Sequence, residues 1–249
     1  MEQLRIKQPT GNLYVVSDSH IDDHSISSQE FCDMLLKLPS PNTIVCLGDL
    51  FKIWLMHTKF WSQMNNEVMN TFRALQQKRV KTIFVTGNRE FFFPRQSVDR
   101  LKNFPFDHMT SDKCYIKWGN HKYGFIHGDT INQNDLNYLR WRKIAHSQIF
   151  DWLTYCIPGT IARWTANYVE SIMTQTNLSY KSYFPEEDVK QFGFQVLNDV
   201  LYFFVGHFHI DKKIEIPGYP GKLIFVPDWL SQKKVLQINI NGEITTLSF

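Results

Sequence analysis

The sequence predicts an α/β fold with an inserted helical segment, on three observations. Short apolar, β-branched runs alternate with segments of helical period up to about residue 90, and short strands separated by turn residues dominate later. Between them, roughly from Asn132 to Pro185, lies a stretch that is helical, rich in Trp and Tyr, and locally basic. In chain order, Leu13 to Ser17 reads as a buried strand and Ser27 to Leu38 as a helix ended by Pro39 and Pro41. Thr43 to Leu47 reads as the next strand. A longer polar helix over about Lys59 to Lys78 leads to a strand at Thr82 to Thr86. Lys113 to Lys117 and His121 to Ile126 flank Gly119-Asn120, a pair suited to positive φ, so they form an antiparallel hairpin. Five further strands are expected at Leu201 to Val205, Lys212 to Ile216, Leu223 to Val226, Lys234 to Ile240 and Glu243 to Ser248, with Asn241-Gly242 joining the last two in a tight turn. The chain thus divides into a core of residues 1–131 and 186–249 and a helical cap over 132–185.

Composition excludes several classes. With 43 % hydrophobic and 20 % charged residues in 249, the chain can bury a sizeable core and is not disordered. A net charge of +3 is too mild to predict nucleic-acid binding, so no nucleic-acid partner is expected. Cys32, Cys46, Cys114 and Cys156 are widely spaced without a CxxC pair and read as reduced core residues. Met1 to Thr10 lacks the apolar core of a signal peptide, and Ile149 to Ala162 is interrupted by Asp151 and Pro158-Gly159. A cytoplasmic protein without a transmembrane segment is the expectation.

The chemistry gathers where apolar runs stop. Asp18-Ser19-His20 follows the first strand, Gly48-Asp49 the second and Gly87-Asn88 the third; His127-Gly128-Asp129 follows the hairpin, and Gly206-His207-Phe208-His209 follows the strand from Leu201. Loops at the carboxyl ends of strands share one edge of an α/β sheet, so distant clusters converge there. Residues two apart in extended chain point to one side, which lets Asp18 and His20, or His207 and His209, address one site. Any one cluster alone reads as an ordinary turn or a buried histidine; the ordered set does not. Asp18, His20, Asp49, Asn88, His127, His207 and His209 are too many ligands for one zinc ion and suit two ions sharing a carboxylate. Oxygen and imidazole donors without thiolate suit manganese, with iron or zinc as alternatives. His24, His57, His108, His121 and His146 lack this context.

These five motifs resemble those of the calcineurin-like metallophosphoesterases. The resemblance implies two stacked sheets flanked by helices, forming a two-sheet β-sandwich with a dinuclear metal centre at one edge. It also implies Asp18, His20 and His209 on one ion, Asn88, His127 and His207 on the other, and Asp49 bridging them. Two divalent ions and two carboxylates leave about +2, a charge suited to phosphate and to hydrolysis without a protein nucleophile. Arg89 stands where many relatives place a proton-donating histidine. Arginine keeps its proton but neutralises phosphate oxygens, which tilts the reading toward a diphosphate substrate.

Gly48-Asp49-Leu50-Phe51, Gly87-Asn88-Arg89-Glu90-Phe91, Asp135-x-x-Tyr138-x-x-Trp141-Arg142 and Pro227-Asp228-Trp229 are more narrowly similar to the UDP-2,3-diacylglucosamine pyrophosphohydrolases of lipid A synthesis. That resemblance implies attack on the α-phosphorus, releasing UMP and 2,3-diacylglucosamine 1-phosphate, with Arg89, Asp135 and Tyr138 at the head group. Arg142 and Lys181 are further candidate substrate contacts, because basic cap residues suit a diphosphate while cap aromatics wall in acyl chains. Peripheral contact with the cytoplasmic face of the inner membrane follows. The chain departs from that family at Lys52 to His57, at Glu90 in place of Asp, and at Ile210-Asp211 in place of Arg-Pro. Rival readings are a phosphoesterase for another nucleotide diphosphate or phosphodiester, and an inactive binding scaffold.

Overall fold

The structure, a computed structural model, describes residues 3–6, 10–22, 27–91, 93, 101–145, 147, 156–161, 164 and 184–249. Among them, two six-stranded sheets face each other. The first contains β2 (Asn12–Val16), β3 (Pro41–Cys46), β5 (Lys81–Val85), β7 (His108–Thr110), β13 (Lys234–Ile238) and β14 (Ile244–Ser248), ordered β14-β13-β2-β3-β5-β7. The second contains β1 (Gln3–Ile6), β8 (Cys114–Trp118), β9 (His121–Ile126), β10 (Tyr202–Val205), β11 (Lys212–Glu215) and β12 (Lys222–Phe225), ordered β1-β8-β9-β10-β12-β11. A small parallel pair joins β4 (Trp54–Leu55) to β6 (Glu90–Phe91).

Three apolar layers hold these sheets together. Leu13, Val15, Val45, Leu47, Ile83 and Val85 from the first sheet meet Ile116, Trp118, Phe125 and Phe204 from the second, forming the core between them. The alternate residues Tyr14, Val16, Ile44, Cys46 and Phe84 face outward, against Phe31, Leu35, Val68 and Phe72 of helices α1 (Ser27–Lys37) and α2 (Gln63–Gln77). Period-two alternation therefore feeds two different cores, and the central strands are apolar on both faces. The outer face of the second sheet is covered by Val189, Phe192 and Val196 of α4 (Glu186–Val196), which follows α3 (Leu136–Ala145) in the chain. A short helix, α5 (Trp229–Gln232), comes after β12.

Several sequence expectations need correction. The continuous helix over Lys59 to Lys78 is broken: a 3-10 turn at Thr58–Phe60 ends at Trp61, and α2 restarts from a capping box in which Ser62 and Asn65 satisfy each other's backbone N–H groups. Asn241-Gly242 does not make a two-residue turn. Gly242 N–H donates to the Asn239 carbonyl, while Asn239 Oδ1 accepts from the Asn241 and Glu243 N–H groups, so the link runs from Asn239 to Glu243. Cys156 is exposed rather than a core residue; Cys32, Cys46 and Cys114 are buried. β1 lies in a segment that reads as polar tail, because only its pairing with β8 makes it a strand. Most of the expected cap, 132–185, lies outside the described residues, as do His24 and His146.

Candidate metal centre

The polar clusters leave the carboxyl ends of β2, β3 and β5 in the first sheet and of β9 and β10 in the second, so the site is assembled across the sandwich rather than along one open sheet. Asp18 N–H donates to the Gly48 carbonyl at 3.2 Å and His20 N–H to the Asp49 carbonyl at 2.9 Å, fastening the first two loops together. Asp18, His20, Asp49, His207 and His209 have φ of 53°, 43°, 51°, 68° and 55°. They account for five of the eight non-glycine residues with positive φ among the described residues. Extended geometry therefore does not aim Asp18 with His20 or His207 with His209. Left-handed backbone does, at a cost of about 1–3 kcal/mol per residue that the surroundings must offset. Gly87 is needed for space: a Cβ there would sit 2.7 Å from His127 Nε2 and still closer to Asp49 Oδ1.

The two oxygens of Asp18 have different surroundings. Oδ2 accepts from Ser17 Oγ and from the His207 N–H at 2.9 Å, whereas buried Oδ1 has no hydrogen-bond partner. Oδ1 lies 3.4 Å from His209 Nε2 and 3.9 Å from His20 Nε2. Asp49 turns Oδ2 toward His20 Nε2 at 3.8 Å and Oδ1 toward His127 Nε2 at 3.5 Å, so its carboxylate reaches both halves of the cluster. Asn88 Oδ1 is 3.1 Å from His127 Nε2. His127 Nδ1 donates to the Leu47 carbonyl at 2.6 Å, which fixes the ring with Nε2 inward, and the His207 ring stands edge-on to it at 5.1 Å.

This donor set fits divalent ions. Ligand atoms bound at about 2.0–2.2 Å lie roughly 3–3.6 Å from one another, close to the spacings around His127 and His209. Two overlapping triads, Asp18/His20/His209 and Asp18/Asp49/His127, have donor atoms within 4.8 Å of one another. The orphaned Asp18 Oδ1 is the kind of buried acceptor that a cation would satisfy.

The charges are strongly coupled. Burial alone would raise the Asp18 carboxyl, but His209, His127 and His20 hold it far below the usual carboxylate range. Burial pushes His127 down, and Asp49, Asp18, Asp129 and the Leu47 carbonyl more than reverse this, to about 9. His209 reaches about 10 against burial because Asp18 and Asp228 face it. His207, buried and beside the His127 cation, falls to about 4, and burial also lowers His20.

Three carboxylates that sequence reasoning did not place in the site organise it. Glu90 accepts backbone N–H groups of Asp49 and Leu50 at 3.0 Å and of Gly87 at 2.6 Å, tying the second loop to the third; burial and the Asp49 charge push its carboxyl up to about 8. Asp228 lies 3.8 Å from His209 Nδ1 and caps α5 through Ser231. Asp129 accepts from Tyr138 and Arg142 of α3. Each lies within one of the motifs quoted above, which was the available signal.

The expected substrate contacts have more structural roles than their motif suggests. Arg89 is only 7 % exposed, its N–H donates to Asp49 Oδ1 at 2.9 Å, and its charge helps lower His20. Asp135 caps α3, accepting the Tyr138 N–H at 2.9 Å. The Tyr138 hydroxyl and Arg142 Nε both donate to Asp129, and Arg142 Nη2 donates to the Ser111 carbonyl, so two of the three guanidinium nitrogens of Arg142 bind the protein itself. Lys181 lies outside the described residues.

A cross-sheet cluster of imidazoles and carboxylates at strand ends makes a candidate centre for divalent ions. The chain belongs to the calcineurin-like phosphoesterase family, whose model matches residues 11–211, and it is a metal-dependent hydrolase. Within the family it is similar to UDP-2,3-diacylglucosamine hydrolase of Vibrio vulnificus, 26 % identical over 91 % of this chain and 93 % of the relative. The enzyme of the same name from Aeromonas salmonicida is 27 % identical over 80 % of this chain and 77 % of its own. Among solved structures, Vps29 of Entamoeba histolytica complexed with zinc is 12 % identical with a TM-score of 0.43, covering 95 % of this chain and 97 % of that one.

Proposed function

We propose that this hydrolase cleaves the diphosphate of UDP-2,3-diacylglucosamine at the α-phosphorus, yielding UMP and 2,3-diacylglucosamine 1-phosphate for lipid A synthesis. Arg89 is the observation that carries the reading: a buried permanent cation directly after Asn88, within electrostatic reach of His20. It suits a leaving group that departs as a phosphate and needs charge neutralisation more than a proton. The relatives' names supply the sugar nucleotide.

In this reading Asp18, His20 and His209 hold one divalent ion, Asn88, His127 and His207 hold the second, and Asp49 serves both. Manganese is the proposed metal, with iron or zinc as alternatives. Two ions bound there would supply Lewis-acid charge and an activated water for in-line displacement. The Leu47 carbonyl keeps His127 in one orientation, and Glu90 keeps the Asp49 and Asn88 loops in register. Arg89 offsets the developing negative charge on the diphosphate, with Asp135 and Tyr138 at the start of α3 near the sugar end and Lys181 as a further cap contact.

Leu136 and Ile144 are exposed on α3, on one face with exposed Arg140 and Lys143. Apolar and cationic residues on one helix face support peripheral contact with an anionic cytoplasmic membrane surface, where the lipid substrate resides. No helix among the described residues is long and apolar enough to cross a membrane.

Hydrolysis in ¹⁸O-labelled water tests the reaction. Label should enter UMP; label only in the lipid phosphate contradicts attack at the α-phosphorus. Plain UDP-sugars hydrolysed as well as the diacylated substrate would favour a soluble nucleotide diphosphate and remove the lipid assignment.

A further inference from the structure

Asp129 lies two residues beyond His127, is 4 % exposed, and stands outside both candidate donor triads. Its Oδ2 accepts both the Tyr138 hydroxyl and Arg142 Nε, the latter at 2.6 Å, and Arg142 continues to the Ser111 carbonyl at 2.9 Å. Tyr138 and Arg142 are four apart on α3, hence on one face, so a single carboxylate oxygen gathers two successive turns of that helix. The bond from the Arg142 guanidinium to a carboxylate oxygen, at 2.6 Å, is charge-assisted and of the stronger kind.

The other side of Asp129 has little slack. Gly128 adopts φ 117°, and a Cβ there would come within 2.8 Å of Val205 Cγ1; His127 is pinned through Nδ1 to Leu47. A rigid connection thus runs from α3 through Asp129 and Gly128 to His127. We propose that Asp129 is a positioning residue, which fixes the first helix of the cap segment to the His127 loop through Tyr138 and Arg142. Arg142 then acts on substrate through Asp129, and its loss displaces Asp135 and Tyr138 together. The kinetic consequence rests on the function proposed above; the mechanical one does not.

The test uses the full-length protein as wild type, Asp129→Asn, Arg142→Gln, Tyr138→Phe and the Asp129→Asn/Arg142→Gln double variant. Hydrogen exchange is followed at the amides of residues 136–145, with β9 as an internal reference. Each single variant should speed exchange in α3, by about tenfold for Asp129→Asn and Arg142→Gln, with β9 unchanged. The double variant should fall clearly short of the product of the two single effects, because both disrupt the shared Asp129–Arg142 bond, while each also disrupts one bond of its own, to Tyr138 or to Ser111. With the diacylated UDP-sugar as substrate, KM should rise more than kcat falls. Unchanged α3 exchange, or a double variant whose effect is the product of the singles, overturns the proposal. If Asp129→Asn unfolds, seen as lost protection in β9, Arg142→Gln and Tyr138→Phe decide it from the helix side. Wild-type protein inert toward the diacylated substrate would refute the function while exchange still judged the positioning role.

Discussion

Asp228 carries no expected metal contact, yet it stands 3.8 Å behind His209 Nδ1 while Ser231 and Gln232 hold its two oxygens. A carboxylate behind a ligating imidazole sets ring orientation and basicity, and its loss typically weakens metal binding about 10–100-fold. Asp228→Asn should therefore lower manganese affinity by that order in titration calorimetry while preserving the α5 cap, since an amide oxygen still accepts from Ser231. Unaltered affinity would reduce Asp228 to a helix cap. At this scale the candidate donors were legible because each interrupts an apolar run. Glu90 and Asp228 were visible only as motif members and their roles were not, because their partners are far away in sequence: Glu90 meets the Asp49 N–H 41 residues earlier, and Asp228 faces a loop from another strand. Such partnerships leave no local period.

Among the elements, the β4–β6 pair explains why the departure at Lys52 to His57 is compatible with the site. Trp54 is 1 % exposed and packs edge-on against Phe51, Phe84 and Phe104 at 5.0, 5.5 and 5.6 Å, while its backbone N–H donates to the Arg89 carbonyl at 2.9 Å. One residue thus anchors the Asp49 loop in the outer core and aligns the segment carrying Arg89 and Glu90. Trp54→Ala should cost about 3–5 kcal/mol, read from urea denaturation, because the cavity opens beneath a rigid pair of strands. A loss below about 1 kcal/mol would mean that the aromatic cluster closes over the gap. The two-residue strands β4 and β6 could not be read from sequence, since neither has room for alternation. The central strands could, within one or two residues at each end, and the Lys59 to Lys78 helix was overextended because Ser62 reads as an ordinary polar residue until its partner Asn65 is seen.

For the whole molecule, candidate donors come from both sheets, so ions that bind there tie the sandwich together along one edge. Metal at 100 times its Kd adds about 2.7 kcal/mol of stability, which for a chain of this size is about 5–10 °C in Tm. Calorimetry of stripped protein with and without manganese should find that increase, and a Tm indifferent to metal would argue against ions at this edge. Strand–helix alternation made the α/β class legible. The division into two sheets was legible only through the family resemblance, because β8, β9 and β10 look like β2 and β3 in sequence and differ only in which partners they find.

The left-handed backbone at Asp18, His20, Asp49, His207 and His209 also narrows the alphabet of replacements open to these positions. Asn, Asp, His and Gly visit that region most readily, whereas branched side chains resist it. Most residues that the loops would accept on backbone grounds are thus themselves able to coordinate, so drift at these positions tends to exchange one ligand for another before it erases the site. For the same reason Asn at His207 removes an imidazole from a loop that keeps its path, while Val at the same place changes the path as well.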